Sequence, residues 1–207
     1  IRSRRSRWRW PARVRLLPGD ADAPWCIRSP EDLEPPAPLP PPEEAARLLA
    51  WRKVETACRH LHSGLVIAAD TIVAKNGRLY GKPKSRKDAE AMLRRLSGKT
   101  HEVITAVAVM DAHSRNAMLA SETSRVTFRK LTAKQIRTYV ATGEPKDKAG
   151  AYAIQGEGGR LVRGFTGDRL NIIGLPVRLL SKLVGRFGVR LSGTRIRSLY
   201  RSTPAGR

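Results

Sequence analysis

A lone carboxylate and a returning lysine occupy a predicted hairpin at residues 65–82. The first strand is an apolar run that carries Asp70, and Asn76-Gly77 separates it from a return segment that leads to Lys82. Asn-Gly between strand-like runs indicates a tight hairpin, because both turn positions need φ > 0. An acid on a buried strand beside a lysine suits a metal-bound or phosphate-bearing substrate. A polar strand end next to a surface lysine is the alternative interpretation of this segment alone.

A second segment, residues 143–159, combines glycines with cations and an amide. Its glycines allow the backbone to approach a ligand closely. Lys146 and Lys148 supply positive charge, and the amide of Gln155 can read the edge of a base because it both donates and accepts. A plain turn region is the alternative here, since glycine-rich loops are common.

The charge of the chain is concentrated at its ends. The 207 residues carry a formal net charge of +22, with seven arginines and no acid in residues 1–15 and six arginines and no acid in residues 186–207. Such ends attract polyanions without specificity, so nucleic acid is expected only as a non-specific partner. The whole chain is 41% hydrophobic and is long enough to bury one core.

Several classes of protein are disfavoured by composition. The two cysteines, Cys26 and Cys58, lack metal-ligand spacing and the density of a disulfide scaffold. The four histidines form no ligand cluster in the sequence. No apolar run approaches the roughly 18 residues of a membrane span, and the amino terminus lacks the apolar region of a secretory signal. We therefore expect a cytoplasmic protein with no membrane partner.

Helices and strands are predicted to alternate along the chain. Helices are expected at 42–60, 86–96, 133–142 and 177–184, from proline, serine and threonine start signals and glycine stops. Strands are expected at 65–82 as a hairpin and at 101–110, 121–128, 151–154 and 161–165, with a tight apolar turn at 171–174. Mixed elements of this kind predict an α/β or α+β fold with a mixed sheet.

Six short motifs occur together in one order along the chain. They are Ala69-Asp70-Thr71-Ile72-Val73, Gly81-Lys82-Pro83, Leu96-Ser97-Gly98-Lys99-Thr100-His101, Glu122-Thr123 with Phe128, Asp147-Lys148 through Gln155-Gly156, and Asn171 through Gly174-Leu175-Pro176. By these motifs the chain resembles the Maf family of nucleoside triphosphate pyrophosphatases over about residues 27–190.

The resemblance implies both an architecture and an activity. It implies a mixed twisted sheet flanked by helices, with two lobes and a central cleft, as in Maf and ITPase-like proteins. It divides the chain into a degenerate or disordered basic segment at 1–25, a pyrophosphatase domain at 26–190 and a basic disordered tail at 191–207. It further implies hydrolysis of dTTP, UTP and modified uridine nucleotides to the monophosphate plus pyrophosphate, a house-cleaning role, and it allows a homodimer.

The resemblance also implies roles for particular residues. Asp70 would take a proton from the attacking water or hold a divalent metal, Mg²⁺ or Mn²⁺, with Glu34 near a second family acid. The residues that match phosphate-binding positions are Arg13, Lys53, Lys82 and Lys148. Thr71 and Gln155 match the positions associated with substrate choice, and threonine with glutamine resembles the dTTP/UTP branch.

The amino-terminal motif departs from the family pattern. The family has a loop of the form Ser-x-Ser-Pro-Arg-Arg-x-x-Leu-Leu, and the best ungapped counterpart is Trp8–Leu17. Tryptophans replace both serines and Ala12 replaces the first arginine, whereas Arg13 remains. We hypothesise that residues 1–25 are a frameshifted or mis-started version of this loop. The alternative is genuine divergence, with weakened catalysis and a role in septum or division control by interaction.

Rebuilding the loop is expected to raise turnover. The triple variant Trp8→Ser, Trp10→Ser, Ala12→Arg restores three phosphate contacts, each worth roughly 1.5–3 kcal/mol when charge-assisted. We expect at least about a tenfold increase in phosphate released from dTTP or UTP in the presence of added inorganic pyrophosphatase. Ala21→Arg is the control, because it adds the same charge outside the motif. An equal gain from both variants would contradict the interpretation.

Overall fold

Six strands form one mixed sheet in the computed structural model, which describes residues 14–16 and 40–191. The strands are β1 (Val14–Leu16), β2 (Leu65–Lys75), β3 (Arg78–Tyr80), β4 (Thr100–Asp111), β5 (Ala117–Phe128) and β6 (Val162–Thr166). Their order is β1-β5-β4-β2-β3. β1 and β6 both pair with the side of β5 that faces away from β4, β1 near the beginning of β5 and β6 near its end. β1 runs parallel to β5 and every other pairing is antiparallel. The predicted mixed sheet is confirmed.

Five α-helices and three short 3₁₀ segments complete the described part of the chain. The helices are α1 (Pro42–Cys58), α2 (Arg86–Leu96), α3 (Ala133–Ala141), α4 (Arg169–Ile173) and α5 (Val177–Gly185). The 3₁₀ segments are Glu144–Asp147, Ala149–Ala151 and Glu157–Leu161. α2 begins after Ser85, whose hydroxyl accepts from the N–H of Asp88 at 3.1 Å, as expected of an N-cap. The four predicted helices are confirmed.

The hairpin of β2 and β3 forms at the predicted place. Asn76 has φ 50° and Gly77 has φ 75°, so both turn positions adopt the left-handed conformation that a tight hairpin turn requires. β3 pairs only with residues 73–75 of β2. The remaining eight residues of β2, 65–72, have β4 on one side and, within the described part of the chain, no strand on the other.

Helix α1 covers one face of the sheet. Because side chains alternate along a strand, the even-numbered positions of β2 and β4 point toward α1, and Ile72, Ile104 and Ala106 are buried there. α1 contributes small apolar residues such as Ala46 and Ala50, which let the helix lie close to the sheet. This packing fixes the side to which Asp70 points.

The opposite face carries two separate hydrophobic clusters. Val73, Val103 and Phe128 belong to a cluster that also holds residues of α2 and α3, whereas Val107 and Val109 pack with α5. Helix α4 contacts β4 and β5. Its buried Asn171 lies among polar groups and belongs to neither hydrophobic cluster. This face therefore has two helical groups, as two lobes would require; a cleft between them stays a prediction.

Two predicted elements have a different conformation. Residues 151–154 do not form a strand, because Gly150 N–H donates to Gly81 O at 3.0 Å and the chain turns as a 3₁₀ segment with Ala151 at φ 61°. The predicted turn at 171–174 lies in and just after α4, since the Asp168 carboxylate caps that helix by accepting from Leu170 N–H at 2.8 Å.

The amino-terminal predictions fall mostly outside the described residues. Val14–Leu16, which the ungapped comparison puts at the end of the loop motif, form strand β1. The rest of 1–25 and residues 192–207 are not described, so the domain boundaries stay predictions. Among the described residues, no helix combines the length and the apolar character that crossing a membrane demands.

Burial of His101 is expected to make stability depend on pH. The ring packs against Phe128 and Tyr152, and its Nε2 lies 2.9 Å from the Tyr152 hydroxyl. Burial, with a smaller contribution from the Lys75 charge, lowers the pKa of His101 from 6.5 to about 4. Between these values the unfolded chain binds more protons, so the free energy of unfolding falls as pH drops.

Two histidine variants test this dependence. His101→Gln keeps a donor near Tyr152 but cannot titrate. Between about pH 6.5 and pH 4 its free energy of unfolding should therefore fall by roughly 3 kcal/mol less than that of wild type. The control, His113→Gln, alters an exposed turn residue. Denaturant unfolding at a series of pH values gives the measurement; equal slopes for wild type and His101→Gln would contradict the prediction.

Candidate active site

Asp70 and Lys53 form an ion pair between the sheet and helix α1. Lys53 Nζ contacts Asp70 Oδ1 and also donates to Ala69 O at 3.1 Å. The Asp70 side chain is only 16% exposed, whereas that of Lys53 is 55% exposed. The lysine can therefore hold the carboxylate in place and still reach a ligand. Among the described residues, the hydrogen bond to Asp70 uses Oδ1 and leaves Oδ2 available.

The amino-terminal end of α1 places further charged groups on the same face of the sheet. Arg47 Nε donates to Ser121 Oγ at 3.0 Å, and Glu43 accepts from Thr123 Oγ1 at 3.2 Å. Glu44 is buried, and burial raises its pKa to about 7 although the Arg47 charge opposes the rise. Glu44 is thus a buried carboxyl group in the first turn of α1, where acids also complement the helix dipole.

The charges of Lys82 and Lys148 both act on the carboxylate of Asp147. Lys148 Nζ donates to Asp147 Oδ2 at 2.9 Å. That hydrogen bond lowers the pKa of Asp147, and the charges of Lys148 and Lys82 lower it further although burial opposes them. Backbone contact of Gly150 with Gly81 joins the two loops. The structure thus brings together two of the predicted phosphate-binding lysines.

A carboxylate holds the loop that carries Gln155. Glu144 accepts from the N–H groups of Glu157 and Gly158 at 2.9 and 3.0 Å and from the Tyr139 hydroxyl at 2.8 Å. Burial opposes ionisation of Glu144, but these donors outweigh it and its pKa is lowered. Gln155 itself is exposed on the loop, where its amide is accessible to a ligand.

Thr71 points away from Asp70, into a polar band on the other face. Its Oγ1 lies 2.9 Å from Thr105 Oγ1, and Thr105 Oγ1 donates to Asn171 O at 2.8 Å. Asn171 Nδ2 donates to Val103 O at 3.0 Å and to Ser124 Oγ at 2.9 Å. Thr105 and Asn171 are fully buried, whereas Thr71 is half-buried. The polar band therefore ends at Thr71, its most accessible member.

A ligand at the edge of β2 could contact both faces of the sheet. Asp70 and Thr71 are consecutive, so their side chains leave β2 on opposite sides. β3 stops at Tyr80, opposite Val73, and Lys82 follows two residues later, where its charge acts on Asp147. The geometry therefore supports one elongated site around this edge, with Asp70 on one side and Thr71 on the other.

The donor set suits a hard divalent cation held jointly with substrate. No group of three histidine, cysteine, aspartate or glutamate side chains in the described ranges could hold a metal alone. Magnesium commonly binds one or two carboxylates together with substrate phosphates, and the available oxygen of Asp70 fits that pattern. Glu34, the other predicted ligand, and Arg13 lie outside the described residues.

Sequence reasoning missed three residues of the polar band: Thr105, Ser124 and Asn171. Thr105 and Ser124 lie within alternating strands, where a hydroxyl reads as ordinary strand composition. Only the strand register places Thr105 opposite Thr71. Asn171 belongs to a matching motif and is a polar residue in an apolar stretch, which was a usable signal. Glu122 lies opposite Thr105, and burial together with the Asp168 charge raises its pKa.

Comparisons with known proteins show the family of this chain. A sequence model described as Maf-like protein matches residues 11–187. The dTTP/UTP pyrophosphatase of Pelotomaculum thermopropionicum is 47% identical over 147 residues, covering 71% of this chain and 77% of the relative. The proteins of the same name from Syntrophomonas wolfei and Moorella thermoacetica are 44% and 46% identical, covering 72% and 74% of this chain and 79% of each relative. The chain belongs to the Maf family.

Proposed function

We propose that the protein is a nucleoside triphosphate pyrophosphatase that converts dTTP, UTP and modified uridine triphosphates to the monophosphate and pyrophosphate, as a house-cleaning activity. The observation that carries the proposal is the Asp70–Lys53 pair at the uncovered edge of β2. The names of the relatives support the substrate class.

The proposed reaction is an attack of water on the α-phosphorus. A new phosphorus–oxygen bond forms, the bond from that phosphorus to the oxygen bridging to the β-phosphorus breaks, and pyrophosphate leaves with the electron pair. Asp70 accepts a proton of the attacking water, as a general base placed by its contact with Lys53. Protein groups contribute to such reactions mainly by positioning and by stabilising charge.

Fixed cations would stabilise the negative charge that grows on the leaving pyrophosphate. Lys82 and Lys148 lie around Asp147, and Lys53 is half exposed beside Asp70. A bound divalent cation, Mg²⁺ or Mn²⁺, would neutralise phosphate charge. In the alternative form of the mechanism, Asp70 would hold this cation, and the cation rather than the carboxylate would activate the water. Arg13 and Glu34 remain proposed phosphate and metal contacts from the family resemblance alone, and a homodimer remains a prediction from the same source.

Removing the carboxylate of Asp70 is expected to abolish most turnover. Asp70→Asn keeps the size of the side chain but cannot accept the proton or hold a cation, so kcat should fall by at least about 100-fold. Glu102→Gln is the matched control, because Glu102 is a strand carboxylate paired with Arg125 on the surface. Phosphate release from dTTP and UTP with magnesium gives the rates. Unchanged turnover in Asp70→Asn would reject the mechanism.

Removing a predicted phosphate lysine is expected to weaken substrate binding. Lys82→Gln should raise KM for UTP about fivefold to tenfold, because one charge-assisted contact to the triphosphate is lost. The increase of KM with NaCl should also become shallower, since exposed charges are screened by salt. Lys84→Gln removes an exposed lysine two positions away and should match wild type. The same KM in both variants would exclude Lys82 from the site.

A further inference from the structure

The polar band fixes the direction of its own hydrogen bonds. Asn171 O is a backbone carbonyl and can only accept, so the single hydrogen of the Thr105 hydroxyl is committed to it at 2.8 Å. Thr105 Oγ1 consequently cannot donate to Thr71. The 2.9 Å contact between the two hydroxyls is therefore donated by Thr71.

The rest of the band holds this direction in place. Val103 O is also only an acceptor, so the Asn171 side-chain atom that faces it at 3.0 Å must be the amide nitrogen. The second hydrogen of that nitrogen reaches Ser124 Oγ, which in turn donates to Asp168 O at 3.0 Å. Asn171 is fully buried, so its side chain cannot bind water instead. Its contact with Val103 O and the contact of its own carbonyl with Thr105 therefore hold α4 in position on the sheet.

Thr71 consequently presents lone pairs, and no proton, to whatever lies beyond it. Thr71 is half-buried, and it lies on the part of β2 whose outer side no described strand covers. Gly174, at the end of α4, lies so close that a Cβ there would stand 3.3 Å from Thr71 Oγ1. The absence of a side chain at position 174 keeps that space clear. A group bound there must donate a hydrogen bond to Thr71.

We propose that Thr105 and Asn171 are positioning residues that hold the Thr71 hydroxyl as an acceptor for the N3–H of a uracil or thymine base. This inference rests on the proposed function and deepens it. Uracil and thymine carry a hydrogen on N3, whereas the N3 of cytosine has a lone pair. The Thr71 oxygen and the N3 of cytosine would both be acceptors, so cytosine would bind poorly because neither acceptor receives a hydrogen bond. Thr105 and Asn171 would thus favour keto pyrimidines through Thr71, without touching the base themselves.

The first test compares UTP with CTP and with 3-methyl-UTP in wild type and Thr105→Val. Wild type should prefer UTP by at least about tenfold in kcat/KM over both analogues, through KM, because a base contact acts equally in ground and transition states. Valine has no oxygen for Thr71 to bind, so its hydroxyl is free to donate and the preference for UTP over CTP should fall to within about threefold. Thr105→Ser retains the hydroxyl and should retain the preference.

A cross-strand threonine pair elsewhere supplies the control. Thr100 and Thr127 approach within 2.8 Å on β4 and β5, away from Thr71, so Thr127→Val should leave the UTP to CTP ratio unchanged. A merely structural role for Thr105 would lower kcat for every nucleotide and leave that ratio at its wild-type value, which would overturn the proposal.

A second comparison keeps the inference testable if Thr105→Val does not fold. Thr71→Val removes the acceptor itself, so its loss of activity on replacing UTP by 3-methyl-UTP should be at least about threefold smaller than in wild type. An equal loss in both proteins would overturn the inference while hydrolysis of UTP by wild type upheld the proposed function. No hydrolysis of UTP or dTTP by wild type would reject the proposed function, and the inference with it.

Discussion

The antiparallel ladder between β2 and β4 determines where every group of the candidate site points. The ladder runs without a break from Leu65 opposite Asp111 to Ala74 opposite Glu102. Because side chains alternate along each strand, a shift of one residue would exchange the two faces of β2. Asp70 would then leave Lys53, and Thr71 would leave Thr105. The apolar residues under α1 oppose such a shift, since it would move them out of the core.

Burial of polar groups in the core needs the complete polar band. An unpartnered hydroxyl or amide in the interior costs about 1–3 kcal/mol, and Thr105 and Asn171 are fully buried. The Thr105 hydroxyl donates to the backbone carbonyl of Asn171, and the Asn171 amide nitrogen donates to Val103 O and Ser124 Oγ, whereas Asn171 Oδ1 has no hydrogen-bond partner among the described residues. The band also lies between the two hydrophobic clusters of this face. α4 therefore packs on the sheet through Ile172 and is also hydrogen-bonded to it through Asn171, and these polar contacts set the orientation of the Thr71 hydroxyl.

Sequence patterns predicted the elements well where the signal is local. The Asn76-Gly77 turn and the Ser85 cap depend on residues next to each other, and both form as predicted. The segment 151–154 was wrong as a strand because a contact from a distant loop, Gly150 N–H to Gly81 O, decides its conformation. Long-range pairing of this kind leaves no periodic trace in the local sequence.

The same distinction between local signals and long-range contacts applies to the candidate site. Motifs identified Asp70 and Lys82 as chemically apt residues, but only the fold places Lys53 against Asp70 and brings the charge of Lys82 to Asp147. Register between strands decides which threonine meets Thr71, and no property of Thr105 by itself reveals it. Residue types that suit a reaction are therefore readable from sequence, whereas the groups that orient them are not.

Pro83 limits the hydrogen bonds that a longer β3 could make with β2 beside Asp70. Continuing the register of Val73 opposite Tyr80 would place Lys82 opposite Thr71 and Pro83 opposite Asp70. Proline has no N–H, so it could not donate a ladder hydrogen bond at that position. The carbonyl of Gly81 instead accepts from Gly150 N–H, which joins the end of β3 to the loop of Lys148. Within the described part of the chain, no strand therefore covers the outer side of β2 at Asp70. An open edge strand is a risk for aggregation, and a ligand bound at this carboxylate would cover it.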